Sequence, residues 1–271
     1  MAMIELYHHG SSVCAAKVRF ALGEKELEWE GHYLDLHKGD QFAPEYQKLN
    51  PKAVVPTLVH DGRVIVESTV INEYVDEVFP QAPLKPNDPQ TRAAMRVWTK
   101  AVDEVLHPAC AEVTFSSCLR HRVNRLPPKE LEKFLSSTPS QSVTPQWRER
   151  RRQLVTLGFD TPGLAAPYQS YDSFLDKMEK ALSHQSWLAG DTFSLADIAM
   201  TPYVNRLDML GWPQMWEQTR PHVADWFERI KARPTFKPAL LDWCPPDLTD
   251  ELLTFGRQSW PNVERLLAQA S

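Results

Sequence analysis

The sequence has no long apolar run, no cysteine pair at metal-ligand spacing and no excess of positive charge. A membrane-spanning helix needs about 18 or more consecutive apolar residues, and no stretch of this chain approaches that length. Acidic residues outnumber basic ones by 35 to 30, and the net charge of −5 argues against an extended nucleic-acid-binding surface. We therefore expect a protein that binds neither nucleic acid nor a membrane.

Cysteine usage is typical of a reducing compartment. Cys14, Cys110, Cys118 and Cys244 form neither a short metal-binding pair nor a tight disulfide framework. The first predicted strand begins at Met3, which leaves no room for a secretion signal. These features predict a cytoplasmic protein without a metal site.

The first 80 residues predict a small unit of alternating strands and helices. The whole chain of 271 residues is 42% hydrophobic and 24% charged, as in a soluble globular protein of one large or two ordinary domains. Asp61-Gly62 between two apolar runs is the strongest short hairpin signal in the chain. The order βαβ-ββα is that of a thioredoxin-like domain. The predicted elements are strands 3–7, 28–36, 57–59 and 64–66 and helices 13–25 and 68–78.

A proline-rich linker separates this unit from the rest of the chain. Residues 79–89 contain four prolines and almost no periodic signal. We therefore predict domains over 1–80 and 90–271, joined by a linker over 81–89. Everything after the linker predicts helix or loop, and Pro108 is expected to kink or end the first helix. The predicted helices cover residues 90–106, 168–182, 195–210, 221–233 and 247–267.

A basic run, Trp147-Arg148-Glu149-Arg150-Arg151-Arg152, lies in the polar part of the second domain. Such a run either contacts a phosphate group or forms a solvated helix face. Because the chain is acidic and the run has no aromatic partner in sequence, a solvated helix face is the expectation.

Ser12 lies where the first strand gives way to a helix, and its hydroxyl suits two roles. It suits the N-cap position, and it also suits an anion bound at the helix opening. An ordinary thiol has a pKa near 8.5, and one hydrogen bond to the thiolate, worth about 1.5–3 kcal/mol, lowers that pKa by about one to two. Ser12 therefore either caps the helix alone or also activates a bound thiol. Cys14, in the first helical turn, is either a small buried hydrophobe or a thiol that can exchange disulfides.

Pro56 and the start of the next helix predict a second set of contacts. Proline cannot donate a ladder hydrogen bond, so Pro56 leaves the N–H and C=O of Val55 free to pair with an extended peptide. Ser68 and the free N–H groups at its helix start suit a carboxylate, and Glu67 suits an ammonium group. A thiol, a peptide backbone and an α-amino acid head group together describe glutathione.

Four segments carry a resemblance to a known family. They are Ser12-x-Cys14-x-x-Lys17-x-Arg19, Leu49-Asn50-Pro51 to Val55-Pro56-Thr57-Leu58, Glu67-Ser68, and Trp187-Leu188-Ala189-Gly190-Asp191 to Ser194-Leu195-Ala196-Asp197. Together these segments resemble the cytosolic-type glutathione S-transferases over nearly the whole chain. The resemblance implies an α/β thioredoxin-like N-terminal domain followed by an all-α C-terminal domain, with glutathione as co-substrate. It also implies a cis proline at Pro56 and a helical half nucleated by the Ser-x-x-Asp box.

The resemblance implies a role for each candidate site residue. Counting back five residues from Lys17 gives Ser12 as the activating serine of the serine-type classes, with Ser11 as the fallback. Val55, next to Pro56, then pairs with the cysteinyl backbone of glutathione. Glu67 and Ser68 hold its γ-glutamyl head, and Gln41 reaches the glycyl end. The electrophile is expected between the Ser12 loop and the helices that contain residues 108–113 and Tyr203.

The expected activity is a glutathione transferase of the detoxification type that acts on a hydrophobic, aromatic electrophile. Ser12-x-Cys14 is also similar to the zeta class and the tetrachlorohydroquinone reductive dehalogenases, in which the cysteine takes part in thiol exchange. Residues 67–71 and 95–100 resemble the bacterial β-etherases. A non-catalytic glutathione-fold binding protein is a further alternative. The family also implies a homodimer, for which Val78 and Phe79 supply apolar contacts.

Overall fold

The computed structural model describes residues 3–36, 38–136 and 145–269. It begins with a four-stranded sheet and continues, after residue 78, with helices. This confirms a thioredoxin-like N-terminal part followed by an all-α part. None of the helices in the described ranges combines the length and apolar character needed to cross a membrane.

The sheet has the strand order β2-β1-β3-β4. β2 runs parallel to β1, as expected when α1 is the crossover, whereas β3 and β4 are antiparallel to their neighbours. β2 is shorter than the predicted 28–36. The connection before β3 contains a 3₁₀ turn over Asp40–Phe42 as well as a short helix. The elements are β1 (Ile4–His8), α1 (Val13–Glu24), β2 (Glu30–Tyr33), α2 (Pro44–Leu49), β3 (Thr57–His60), β4 (Arg63–Val66) and α3 (Ser68–Val78).

The rest of the described chain forms nine further helices. Residues 79–88 carry no helix or strand before α4 begins. The predicted helices after the linker are all present, with ends that differ by a few residues. The helices are α4 (Pro89–Ala101), α5 (His107–Thr114), α6 (Arg120–Val123), α7 (Pro128–Ser136), α8 (Pro145–Leu157), α9 (Ala165–Leu182), α10 (Leu195–Met209), α11 (Pro221–Lys231) and α12 (Pro246–Ala268).

The helical path does not end at Pro108. A π-helical turn over Val102–Leu106 joins α4 to α5, and a second one over Phe115–Leu119 joins α5 to α6. Proline lacks the N–H that an α-helix needs, and an inserted π turn is one of the ways in which a helix accommodates the lost bond. The π turn therefore stands where a break was expected, and it changes which side chains face inward.

α1 is buried on every side because it packs between the two halves. Val18 and Leu22 belong to the core beneath the sheet, whereas Phe20 and Ala21 belong to the larger core of the helical half. The helix lies against α3 on one side and α10 on the other. Residues 15–22 of α1 are all buried, including the charged Lys17 and Arg19, so α1 fixes how the halves meet.

The predicted capping box at the start of α10 is present. Ser194 accepts from the Ala196 N–H at 3.3 Å, and Asp197 accepts from the Ser194 N–H at 3.0 Å. The buried Asp197 carboxyl also accepts from the Leu188 N–H at 3.0 Å and from the Trp226 indole at 2.9 Å. The box thus joins α10 to the preceding loop and to α11.

The basic run forms part of α8, and the expectation of a solvated face is wrong at Arg151. This side chain is buried, and its guanidinium stacks 4.6 Å above the centre of the Phe134 ring. Arg152 matches the expectation better, because its side chain is 40% exposed and pairs with Glu132 at 3.1 Å. Sequence periodicity did not reveal that α7 would supply an aromatic partner.

Candidate active site

A cavity of about 400 Å³ lies where the two halves meet. It contains seven of the eight predicted site residues, and Ser11 is the exception. Three of its lining residues come from the helical half and were not predicted. The lining residues are Ser12, Cys14, Leu36, Gln41, Ala53, Val54, Val55, Pro56, Glu67 and Ser68, together with Asp103, His107 and Arg151.

Ser12 is the N-cap of α1. Its Oγ accepts a hydrogen bond from the Ala15 N–H at 3.2 Å, and its own N–H donates to the His9 carbonyl at 3.2 Å. A hydroxyl group has two acceptor lone pairs and one proton to donate. Capping uses one lone pair, so the proton is left for an anion in the cavity. The two roles considered for Ser12 are therefore compatible.

Ser11 faces a different part of the molecule. Its Oγ lies 3.0 Å from Nδ1 of His9, and its carbonyl accepts from Nη2 of Arg206 at 2.6 Å. The space beside it is a void of about 20 Å³, enough for roughly one water molecule. The geometry thus favours Ser12 over Ser11 as the residue that meets a ligand.

A buried arginine fixes the turn that precedes Ser12. Arg19 donates to the carbonyls of His9 at 3.2 Å and Gly10 at 3.3 Å, and its Nε donates to the Ala239 carbonyl at 2.7 Å. Burial lowers the pKa of Arg19 to about 10, which leaves it charged at neutral pH. A Cβ on Gly10 would lie 1.8 Å from the Trp243 carbonyl oxygen, so only glycine fits this close approach.

The loop before β3 presents free backbone groups to the cavity. The Val55–Pro56 bond is cis, as the family resemblance implied. The neighbouring Val54 carbonyl accepts from the Tyr46 hydroxyl at 2.6 Å and from the Asn50 amide at 3.0 Å, which anchors the loop. Among the described residues, the N–H and C=O of Val55 have no hydrogen-bond partner. They are available to an extended peptide.

The start of α3 is also open to a ligand. Glu67 stands at the N-cap with a φ of +69° and makes no side-chain capping bond. A non-glycine residue in this region carries strain of about 1–3 kcal/mol, and such strain is common at ligand sites. The Glu67 carboxylate pairs with Lys52 at 2.6 Å, and Ser68 is buried at the first helical position. The uncapped N–H groups here suit a carboxylate.

Gln41 contributes an incompletely bonded amide. Its Nε2 lies 3.5 Å from the Leu36 carbonyl, which is a long contact. Its Oε1 is buried, with no hydrogen-bond partner among the described residues. A buried amide that lacks a partner is costly, so this group suits a polar ligand at the edge of the cavity.

Cys14 does not belong to the packed face of α1. It is half-buried, and its Sγ lies 3.5 Å from Nδ1 of His107 and 3.8 Å from the Tyr203 hydroxyl. The Tyr203 hydroxyl also lies 3.1 Å from the same His107 nitrogen. The three side chains form a polar cluster, in which Cys14 and His107 line the cavity and Tyr203 is buried.

The cluster favours the thiolate. Burial by itself raises the pKa of the Cys14 thiol, but the charges of His107 and Lys17 and hydrogen bonds from His107 and Tyr203 lower that pKa to about 6. The Cys14 thiolate in turn raises the pKa of His107 against the effect of burial. Both shifts favour a thiolate–imidazolium pair over a neutral thiol beside a neutral imidazole. In contrast, burial raises the pKa of Cys110 and raises that of Cys118 to about 12.

His107 and Asp103 line the cavity, and sequence reasoning missed both. Asp103 lies in the π-helical turn, and His107 follows directly after its end. Asp103 pairs with the buried Lys17 at 2.7 Å. π turns are rare in proteins, and those that occur often lie at functional sites. The only signal in the sequence was the His107-Pro108 step, because a proline within a helical pattern predicts a local distortion.

Two family models match the chain. The Glutathione S-transferase N-terminal domain matches residues 11–78, and the Glutathione S-transferase C-terminal domain matches residues 145–229. Protein LigF of Sphingobium sp. is 33% identical over 242 residues, which cover 86% of this chain and 91% of that protein. Tetrachloro-P-hydroquinone reductive dehalogenase of Sphingobium chlorophenolicum is 27% identical over 248 residues, which cover 88% of this chain and 96% of that protein.

Solved structures resemble both halves together. The crystal structure of beta-etherase LigF from Sphingobium sp. has a TM-score of 0.77 and 31% identity, and the match covers 88% of this chain and 98% of that one. A glutathione transferase homolog from Sulfitobacter, solved with bound glutathione, has a TM-score of 0.62 and 22% identity over 88% of this chain and 97% of that one. The second structure shares the fold.

Alkylation by iodoacetamide measures the Cys14 thiolate directly. Since only the thiolate reacts, we expect the rate of Cys14 modification to rise with pH through a midpoint near 6. His107→Asn removes the largest of the effects that lower the pKa of Cys14, while burial of the sulfur remains, so the midpoint should rise toward the ordinary thiol value of about 8.5. Intact-mass spectrometry with peptide mapping follows the modification at each pH.

The matched control for this prediction is His184→Asn, which alters an exposed histidine away from the cavity. It should keep the wild-type midpoint. Equal midpoints for wild type and His107→Asn would contradict the thiolate–imidazolium pair.

Proposed function

This chain belongs to the glutathione S-transferase family and is a glutathione transferase, and we propose that it adds the thiolate of glutathione to a hydrophobic, aromatic electrophile. Glutathione is its co-substrate. One observation carries the proposal: a single cavity contains a helix N-cap hydroxyl, free peptide groups and an uncapped helix start. These are the partners that a thiol, a peptide backbone and an amino-acid head group require.

In this proposal each wall of the cavity has its own task. Val55 pairs with the cysteinyl backbone of glutathione, and Ser68 with Glu67 holds the γ-glutamyl head. Gln41 meets the glycyl end. The Ser12 hydroxyl donates a hydrogen bond to the glutathione sulfur. This bond stabilises the thiolate without making the serine a nucleophile. The thiolate then attacks the electrophile, and the leaving group departs as an anion.

In this proposal the electrophile binds between residues of both halves. The apolar part of the cavity wall comes from the first half and includes Leu36, Ala53 and Pro56. His107 and Arg151 face the same space from the helical half. The names of two relatives say what they act on, an ether for beta-etherase LigF and tetrachloro-p-hydroquinone for the dehalogenase. The second name supports an aromatic substrate for this chain.

The role of Ser12 is tested by titrating bound glutathione. The thiolate absorbance of glutathione on the enzyme is followed against pH in a Cys14→Ala background, because the Cys14 thiolate absorbs in the same range. We expect Ser12→Gly to raise the pKa of the bound thiol by about one to two, since one hydrogen bond to the thiolate is lost. Glycine serves almost as well as serine at an N-cap, so α1 is kept intact.

Ser11→Gly is the matched control, and it should leave the pKa of the bound thiol unchanged. If Ser11→Gly raises that pKa and Ser12→Gly does not, Ser12 is not the activating residue. If neither variant changes it, the thiol is activated by a group other than these hydroxyls.

The Cys14–His107 pair supports a second candidate function, reductive removal of a substituent from the aromatic ring. Glutathione first replaces the substituent and forms an aryl thioether. The Cys14 thiolate then attacks the glutathione sulfur, the aryl–sulfur bond breaks, and the aryl group takes a proton. A second glutathione attacks the resulting mixed disulfide and releases oxidised glutathione with the free thiol. Two glutathione thiols thus supply both electrons.

Disulfide exchange at Cys14 distinguishes this candidate from conjugation. Incubation with oxidised glutathione should add one glutathione mass to the wild type and none to Cys14→Ala, because Cys14 alone combines exposure with a thiolate. Cys110→Ala is the control, and it should gain the same adduct as the wild type. Absence of the adduct, or its mapping to another cysteine, would remove the reductive candidate and leave conjugation or ether cleavage.

We also propose that the enzyme is a symmetric homodimer. Three valines on α3 and α4 leave apolar surface in water: Val70 is 55% exposed, Val78 41% and Val97 68%. Phe79 is only partly buried at the end of the first half. Arg96 on α4 pairs with Glu73 on α3 at 2.6 Å, so this surface combines apolar patches with charge. A twofold interface buries such a patch against its own copy.

Sedimentation equilibrium at micromolar concentration tests the dimer. The wild type should show twice the chain mass of 31.1 kDa. Val97→Glu places a charge in the proposed contact and should lower the mass toward that of one chain. Val64→Glu alters another exposed valine, on β4, and should leave the dimer intact. A wild-type mass near 31.1 kDa would exclude the dimer.

A further inference from the structure

We propose that Arg151 binds an oxyanion, a carboxylate or phenolate, on the electrophile that enters the cavity. The inference rests on the proposed transferase function and narrows its substrate class to aromatic electrophiles that carry a negatively charged oxygen. It starts from the position of Arg151 in α8, which brings the guanidinium to the wall of the cavity that the helical half forms.

The Arg151 side chain is buried, and among the described residues not all of its N–H groups have a hydrogen-bond partner. The side chain is 8% exposed, its Nη2 donates to the Phe134 carbonyl at 2.5 Å, and its guanidinium lies over the Phe134 ring. Its Nε is buried and has no hydrogen-bond partner among the described residues. A buried N–H without a partner is costly, so a ligand that accepts from it gains free energy in binding.

The neighbouring arginines of α8 are paired, and Arg151 is not. Arg150 meets Glu112 at 2.6 Å, and Arg152 meets Glu132 at 3.1 Å. No carboxylate in the described ranges lies within ion-pair distance of Arg151. Burial also lowers the pKa of Arg151, which reflects the free-energy cost of an uncompensated charge. An anionic ligand would offset that cost.

The remaining charges of the cavity are already balanced. Glu67 pairs with Lys52 at 2.6 Å, and Asp103 pairs with the buried Lys17 at 2.7 Å. His107 faces the Cys14 sulfur at 3.5 Å, and the Cys14 thiolate raises the pKa of this histidine. Arg151 is therefore the cation that the described lining of the cavity leaves without an anion.

The location of Arg151 assigns the oxyanion to the electrophile rather than to glutathione. All proposed contacts of glutathione come from the first half, at Ser12, Gln41, Val55 and residues 67–68. Arg151 belongs to the opposite, helical wall. A guanidinium presents Nε–H and an adjacent Nη–H as one donor edge, which matches the two oxygens of a carboxylate or a single phenolate oxygen.

The first test compares an acid with its neutral isostere. Conjugation of glutathione with 4-chloro-3-nitrobenzoate and with 4-chloro-3-nitrobenzamide is measured as kcat/KM in wild type and in Arg151→Gln. The variant should lose about tenfold or more with the acid and less than about twofold with the amide, because one charged hydrogen bond is removed. Arg152→Gln, the same change on the exposed side of α8, should alter neither.

Arg151→Lys separates anion binding from a merely structural role. Lysine loses the planar contact with Phe134, as glutamine does, but it keeps the positive charge and should retain part of the preference for the acid. Equal losses with acid and amide in both variants would overturn the proposal. A raised KM for glutathione in Arg151→Gln, with either electrophile, would overturn it as well, because the anion would then belong to glutathione.

A second readout does not depend on transferase activity. In the absence of glutathione, Cys14 is alkylated by iodoacetate and by iodoacetamide, two reagents that differ in charge. Arg151→Gln should lower the ratio of the iodoacetate rate to the iodoacetamide rate by about threefold or more. The reason is that the variant lacks the cation that attracts the anionic reagent into the cavity. If conjugation fails for every electrophile and this ratio still falls, the proposal of conjugation with an aromatic electrophile is wrong. The proposal of an anion site at Arg151 is then still supported.

The same alkylation keeps the proposal testable if Arg151→Gln does not fold. In wild type, the unreactive 4-methyl-3-nitrobenzoate should slow the alkylation of Cys14 by iodoacetamide at about tenfold lower concentration than its amide does. Equal protection by the acid and the amide would contradict an oxyanion site in the cavity.

Discussion

The fixed start of α1 is the constraint on which the rest of the site depends. Arg19 and Arg206 donate to the carbonyl groups of residues 9–11, so the turn before the helix is held by buried guanidinium groups. The carbonyl oxygens that would repel an anion are thereby engaged, and the helix opening presents Ser12 and Cys14 to the cavity. α1 itself belongs to both cores, which ties this geometry to the contact between the halves.

Two sulfur sites therefore share one helix end. In the proposed function Ser12 donates a hydrogen bond to the sulfur of glutathione, while the Cys14 thiol lies 3.5 Å from His107, which lowers its pKa. The first arrangement suits addition to an electrophile, and the second suits exchange with a sulfur already bound. Cys14 faces the helical half, which supplies His107. The residues of that half therefore decide whether a histidine lies beside the Cys14 sulfur. The same wall carries Arg151, at which we propose that the oxyanion of the electrophile binds.

Seven of the eight residues singled out from the sequence line the cavity, and local signals in the first half identified them. A turn before a helix located Ser12, a proline beside a strand located Val55, and an acid before an apolar helix located Glu67. His107 and Arg151 could not be found in this way. His107 faces Cys14 only because a π turn rotates the helix before it, and Arg151 is buried only because α7 covers it. Both depend on packing between segments distant in sequence, which charge runs and periodicity do not report.

A crystal structure with the conjugate of glutathione and 4-chloro-3-nitrobenzoate tests the central claim most directly, since it locates the sulfur and the carboxylate together. The account predicts the conjugate sulfur within hydrogen-bond distance of the Ser12 hydroxyl, the peptide paired with Val55, and the aryl carboxylate on the guanidinium of Arg151. A sulfur bound away from Ser12, with the peptide outside the cavity between the two halves, would contradict it.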